Sequence, residues 1–172
     1  MFERFRELQR TINRIGLGGS LRALPAPRML AIEDASDKGN TIHDKFLEVI
    51  TDQDLLDTAR DLFVSGFYSE AVGEAFKFVD NFVKAKTGST RSGSPLMEWA
   101  FSPTNPTLKL NALLTESEKN AQAGYHRIFS GSMLGIRNPT AHENGWVSDA
   151  EEALEALVLA QHLLRKAKSA KM

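Results

Sequence analysis

The chain contains no cysteine, and this absence narrows its chemistry. Within its 172 residues, disulfide bonds, a thiol nucleophile and cysteine-ligated zinc are excluded. The absence agrees best with a cytoplasmic protein, which is the location we expect. No apolar run approaches the roughly 20 residues that span a bilayer, and the first 14 residues mix two glutamates with four arginines. We therefore expect no membrane association, no signal peptide and no transit peptide.

Neither charge sign is in excess. Lys and Arg number 21 and Asp and Glu 22, which gives a net charge of −1 and does not favour indiscriminate nucleic-acid binding. The charge is uneven along the chain, because residues 1–30 hold six arginines against two acidic residues and residues 31–60 hold three basic against eight acidic residues. A cationic surface must be local. The N-terminal segment and the tail around 165–171 are the candidates, although a solvated helix face is the favoured interpretation of both.

Apolar residues recur at steps of three and four, the period of a buried helix face, and no segment alternates with period two. We predict an all-α protein: a bundle of four or five helices, in which the helices that carry Leu55 to Phe63 and Ala71 to Val83 form a hairpin. Three pairs of residues resemble a capping box and predict where helices begin. They are Thr51 with Asp54, Thr115 with Glu118, and Ser148 with Glu151. The apolar stripes run through Leu55 to Phe63, Ala71 to Val83, Pro95 to Phe101, Glu116 to Ile136 and Ala150 to Leu164.

The first part of the chain is predicted to stand apart from this bundle. An amphipathic helix over the first 15 residues precedes a glycine-rich stop at 16–20 and a Pro-containing, acidic linker. We divide the chain into an N-terminal helix and linker arm, 1–42, and a helical bundle, 43–172. The arm is expected to bind a partner protein, another subunit or RNA.

A possible site lies between the last two long helices, in the segment 135–143. Pro139 disfavours helix at Asn138, so we expect a helix end and a bend there. Arg137 before the bend and His142 after it could point into one cleft, where the imidazole transfers a proton and the guanidinium braces an anion. The alternative is structural: Arg137 caps the preceding helix and His142 hydrogen-bonds within the turn.

Other polar residues have weaker claims. Tyr68, Glu70 and Glu74 could line the same cleft, although the two glutamates also fit an exposed acidic edge. Glu143 could tune the histidine or could be a solvated carboxylate. We predict no metal site and no cofactor, because the remaining histidines lack the spacing of a zinc helix. These histidines are His43, His126 and His162, and Trp99 and Trp146 are candidates for base stacking, with a core role favoured for Trp99.

The spacing Arg137-Asn138-x-x-x-His142, placed between the last long helices of a small bundle, resembles the signature of the HEPN superfamily. Four stretches are similar more narrowly to the uncharacterised bacterial Ymh group within it. They are Phe67 to Val72, Leu96 to Ser102, Ser117 to Tyr125, and Gly135 to Glu143.

The resemblance implies a HEPN-like bundle acting as a metal-independent endoribonuclease of a toxin or phage-defence system. It implies a homodimer with a shared cleft on the Arg137 to His142 side. There the RNA 2′-hydroxyl attacks the adjacent phosphate and leaves a 2′,3′-cyclic phosphate. His142 is then the general acid or base, Arg137 stabilises the phosphate, and Asn138 orients the histidine or the phosphate, or caps the bend. The alternative is a catalytically silent HEPN-like subunit that binds RNA or protein in a larger assembly.

Overall fold

The computed structural model describes residues 41–143 and 145–172, within a unit that spans Asn40–Met172. The predicted N-terminal helix and its linker up to residue 40 lie outside the described residues. The described part is helical, with one isolated bridge between Lys109 and Lys171, and the predicted all-α bundle is confirmed. The helices are α1 (Ile42–Val49), α2 (Gln53–Val64), α3 (Tyr68–Thr87), α4 (Gly93–Ala100), α5 (Glu116–Ser132), a π-helical turn (Met133–Arg137), α6 (Asn138–His142) and α7 (Ala150–Ser169).

Helix α3 is the centre of the bundle. It packs against α2 in the predicted hairpin, against α7, and against the segment that follows α5. Its apolar stripe is buried except for the half-buried Phe82, and a left-handed Gly88 (φ 63°) ends the helix after two lysines that favour a helix C-terminus. Two stacked pairs of phenylalanine rings are fully buried in the core, with centroids 4.6 Å apart for Phe46 and Phe63 and 4.0 Å apart for Phe101 and Phe129.

Two of the three predicted helix starts are displaced by one residue. The capping box of Thr115 and Glu118 is confirmed. The N-cap of α2 is Asp52, whose carboxylate accepts from Lys168 and makes no capping bond to the helix backbone. The N-cap of α7 is Asp149, whose carboxylate accepts from the N–H of Glu152. In both cases a second capping-type residue directly follows the predicted one, and the sequence pattern alone does not separate the two.

Helix α1 is absent from the sequence prediction, which gave this part of the chain no helix of its own. It begins with a complete capping box, in which Thr41 and Asp44 satisfy each other's backbone N–H groups. Its single buried side chain is Phe46. The helix escapes a periodicity search because eight residues with one core contact give little signal.

Gln161 of α7 ties the junction between α1 and α2 to the bundle. Its amide oxygen accepts from the N–H groups of Thr51 (2.7 Å) and Asp52 (2.9 Å), and its amide nitrogen donates to the carbonyl of Val49 (2.8 Å). The side chain is 5% exposed. These bonds satisfy backbone groups at a helix terminus that would otherwise be buried without partners.

Candidate functional site

The segment that carries the predicted motif is helical throughout, contrary to the predicted helix end and bend. After α5, the N–H of Asn138 donates to the carbonyl of Met133, five residues back, and the chain continues as α6 to His142. Pro139 has no N–H and its ring crowds the preceding turn. A wider π turn relieves this conflict without ending the helix. Such single-turn insertions often accompany functional sites.

Thr140 stabilises the turn from inside. Its hydroxyl lies 3.0 Å from the carbonyl oxygen of Ile136 and 2.9 Å from that of Arg137, and donates to this pair. The same hydroxyl lies against α3, because a Cβ atom at Gly73 would be 3.2 Å from Thr140 Oγ1. Glycine at residue 73 therefore allows α3 to approach the motif segment closely, which fixes the backbone on which Arg137 stands.

Arg137 is half-buried at the end of the π turn. Its Nη1 donates to Oδ1 of Asn138, which is also half-buried, at 3.2 Å. This bond restricts the guanidinium while its other N–H groups are left for an anion. The polar residue after the arginine thus contacts the arginine itself. The structure thus shows Asn138 bonded to Arg137, a contact that the sequence did not predict, and no hydrogen bond from Asn138 to His142.

His142 is the last residue of α6 and its side chain is exposed. Five residues separate it from Arg137, which on an α-helix corresponds to about 7.5 Å along the axis and about 140° around it. Within one chain the two side chains therefore leave the helical segment in different directions.

The residues predicted to line the cleft lie on two elements. Tyr68, Glu70 and Glu74 belong to α3, and Glu143 directly follows α6. Tyr68 and Glu70 lie in the first turn of α3, with the Tyr68 ring half-buried against Phe63 at a centroid distance of 5.3 Å. The carboxylates of Glu70, Glu74 and Glu143 are exposed, and Glu74 is paired with Lys77 at 3.0 Å. The Glu74 pairing agrees with the exposed acidic edge that the sequence also allowed.

The remaining histidines and tryptophans have separate surroundings. His43 packs edge-on near Phe63 at 6.0 Å. The Nε2 atom of His162 is hydrogen-bonded to the hydroxyl of Tyr125 at 2.6 Å. Residues 41–143 and 145–172 contain no cluster of three or more His, Asp or Glu side chains arranged to hold a metal ion. Trp99 is half-buried with Arg91 above its ring at 4.8 Å, whereas Trp146 is 48% exposed.

Lys168, in the last turn of α7, has a shifted pKa. Burial lowers the pKa of Lys168, and hydrogen bonds to the carboxylates of Asp52 and Asp54 raise it, so that it lies above the ordinary value of 10.5. The amine is 2.8 Å from Asp52 and 2.7 Å from Asp54. This cluster joins α7 to α2 and is structural.

Fold and site together define an all-α bundle with an arginine and a histidine on one proline-containing helical segment. The model of the Hypoth_ymh family, described as a protein of unknown function, matches residues 50–167, and the chain belongs to that family. The similarity to the Ymh group is thereby confirmed. No curated protein and no solved structure matches the chain significantly. In the part of the chain that the structure describes, no helix is both long and apolar enough to cross a membrane.

Proposed function

We propose that this protein is a HEPN-like, metal-independent endoribonuclease of a toxin or phage-defence system, acting in the cytoplasm as a homodimer. One observation carries the proposal. Arg137, held by Asn138, and the exposed His142 stand on a single helical segment that Thr140 and the close approach of α3 keep in place. A fixed backbone under an anion-binding and a proton-transferring side chain is what phosphodiester cleavage requires.

In the proposed reaction the 2′-hydroxyl of RNA attacks the adjacent phosphorus. His142 accepts the hydroxyl proton, and water supplies the proton that the departing 5′-oxygen takes up. Arg137 stabilises the charge that develops on the phosphoryl oxygens. The products are a 2′,3′-cyclic phosphate and a 5′-hydroxyl. DNA lacks the attacking hydroxyl and would not be cleaved.

The second candidate is a catalytically silent HEPN-like subunit that binds RNA or a partner protein. It is favoured by the different directions in which Arg137 and His142 leave the helix, since one copy alone does not assemble the pair. An exposed Trp146 and a local rather than overall positive charge also fit a recognition surface.

The ends left on RNA distinguish the candidates. Purified full-length protein is incubated with RNA in EDTA, and the products are analysed for 2′,3′-cyclic phosphate. Wild type and the matched control His126→Ala, which changes a half-buried histidine on α5, should cleave, whereas His142→Ala should not. Absence of cleavage by wild type, or equal cleavage by His142→Ala, would favour the silent subunit.

A further inference from the structure

The outer face of α7 carries a regular stripe of five exposed side chains. Its members, spaced four, three, four and three residues apart, share one face of the helix. Val158 at the centre is 41% exposed. The stripe consists of Glu151, Glu155, Val158, His162 and Arg165.

The stripe carries two glutamates before Val158 and two nitrogen-bearing side chains after it, so it is complementary to a second copy of itself in the reverse direction. Glu151 and Arg165 lie seven residues before and after Val158, about 10 Å from it in each direction. Glu155 lies three residues before it and His162 four residues after it. Rotation by 180° about an axis through Val158 therefore brings each glutamate opposite a nitrogen-bearing side chain of the second copy. A closed two-fold interface requires this relation of a surface with itself.

His162 is prepared for such a contact by a neighbour on α5. Its Nε2 is bonded to the hydroxyl of Tyr125 at 2.6 Å. When the tyrosine donates this bond, the proton of the neutral ring lies on Nδ1, which can then donate to a carboxylate of the second copy.

Apolar grooves border the stripe on both sides. One, of about 420 Å³, lies between α1 and α7 and contains Ile42, Val49 and Leu154. The other, of about 290 Å³, lies between α7 and the π turn and contains Ile136, Trp146 and Leu159. Val49 is 41% exposed and Trp146 48% exposed. The grooves supply apolar area that a partner could bury, and the charges between them could fix its orientation.

We propose that α7 of one copy packs antiparallel against α7 of a second copy, about a two-fold axis at Val158. We assign this face to a second copy because, in the antiparallel arrangement, the glutamates of one stripe face the nitrogen-bearing side chains of the other. The second groove includes Gly135 and Ile136, directly before Arg137, so the partner lies beside the motif segment. The importance of this position for RNA cleavage rests on the proposed function, whereas the pairing of the two α7 helices does not.

The mass of the full-length protein in light scattering tests the pairing. Wild type should have the mass of at least two chains, with association weakened by salt because the pairs are at the surface. Val158→Asp should weaken association by about a hundredfold, since it would bury two facing carboxylates at the axis. The matched control Val64→Asp, at a 45% exposed residue of α2, should leave the mass unchanged. A single-chain mass for wild type, or the same mass for Val158→Asp, would overturn the proposal.

Charge exchange tests the antiparallel register. Glu151→Arg alone and Arg165→Glu alone each place like charges opposite each other and should dissociate. An equimolar mixture of the two variants should associate as a heterodimer, because both pairs are then of opposite sign. Thr51→Val is the control for Arg165, which also donates to the Thr51 hydroxyl, and should associate as wild type does. A mixture that stays dissociated would contradict this register.

The readouts separate this proposal from the ribonuclease proposal. Correct masses without RNA cleavage would overturn the enzyme and leave the pairing standing. Cleavage that depends on His142, with masses insensitive to Val158→Asp, would overturn the pairing and leave the enzyme standing. Circular dichroism of each variant establishes that the helices are retained.

Discussion

Gly73 of α3 and Thr140 of α6 meet where a Cβ atom on the glycine would lie 3.2 Å from the threonine hydroxyl. Thr140 has little freedom to move away, because its hydroxyl is held by the carbonyl oxygens of Ile136 and Arg137. The position of the segment 135–143 thus depends on the absence of a side chain at Gly73. The relationship links packing in the core to the geometry of the proposed site.

Alanine at residue 73 should show this constraint when compared with alanine at Gly124. Both glycines are inside long helices, where Gly→Ala normally gains about 0.5–1 kcal/mol. A Cβ at Gly124 meets nothing within 4 Å, so Gly124→Ala should show that gain in urea unfolding. Gly73→Ala should gain less or lose stability, because the added methyl presses on Thr140. Equal gains at the two residues would show that the contact is relieved without cost.

Replacement of Gln161 by leucine should destabilise the bundle. The variant leaves the N–H groups of Thr51 and Asp52 and the carbonyl of Val49 without their partner. We expect a loss of about 2–4 kcal/mol in the free energy of unfolding, measured by urea denaturation. Gln53→Leu, which changes an exposed glutamine of α2, is the control and should alter stability by less than about 0.5 kcal/mol. A similar midpoint for both variants would contradict the role assigned to Gln161.

Lys168 should contribute to stability with a defined pH dependence. Its pKa in the folded chain is raised above 10.5, so its contribution is complete below that pH and is lost as the pH rises through the raised pKa. The contribution should stay below about 1 kcal/mol, because the side chain is 34% exposed and solvent screens the pair. The difference between wild type and Lys168→Met in urea unfolding should be constant near neutral pH and should shrink in alkaline solution. Lys77→Met, which removes the exposed pair with Glu74, should show no such trend.

The sequence predicts the helices better than the details that position the site. Thr115 and Glu118 were identifiable because both partners of the capping box lie within one helical turn. The contact of Gln161 with Thr51 spans 110 residues, and no local pattern reveals it. The π turn was missed for a physical reason: Pro139 indicates a break, but insertion of one extra residue per turn lets the helix continue. Arg137 and His142 were identified by their spacing, whereas Gly73 and Thr140 become visible only when α3 is packed against the segment.

Deletion of residues 1–30 tests the predicted N-terminal arm. Because its apolar stripe is separated from the bundle by a glycine- and proline-containing stretch, the truncated chain should stay helical and unfold cooperatively. Association with a second subunit, RNA or a partner protein should weaken, measured by light scattering and by RNA binding. Loss of the melting transition in circular dichroism would show instead that the arm belongs to the core.

Arg137→Ala and His142→Ala should each abolish most RNA cleavage, and their combination should be hardly worse than either. Removal of a proton-transferring or a charge-stabilising group costs about 10² to 10⁴ in rate. Groups that act in one transition state are not additive, so the double variant should not show the product of the two losses. The rates are measured in EDTA with RNA and with DNA of the same sequence, and Arg127→Ala on the exposed surface of α5 is the control. Multiplicative losses would mean that Arg137 and His142 act in separate steps, and cleavage of the DNA would exclude attack by the 2′-hydroxyl.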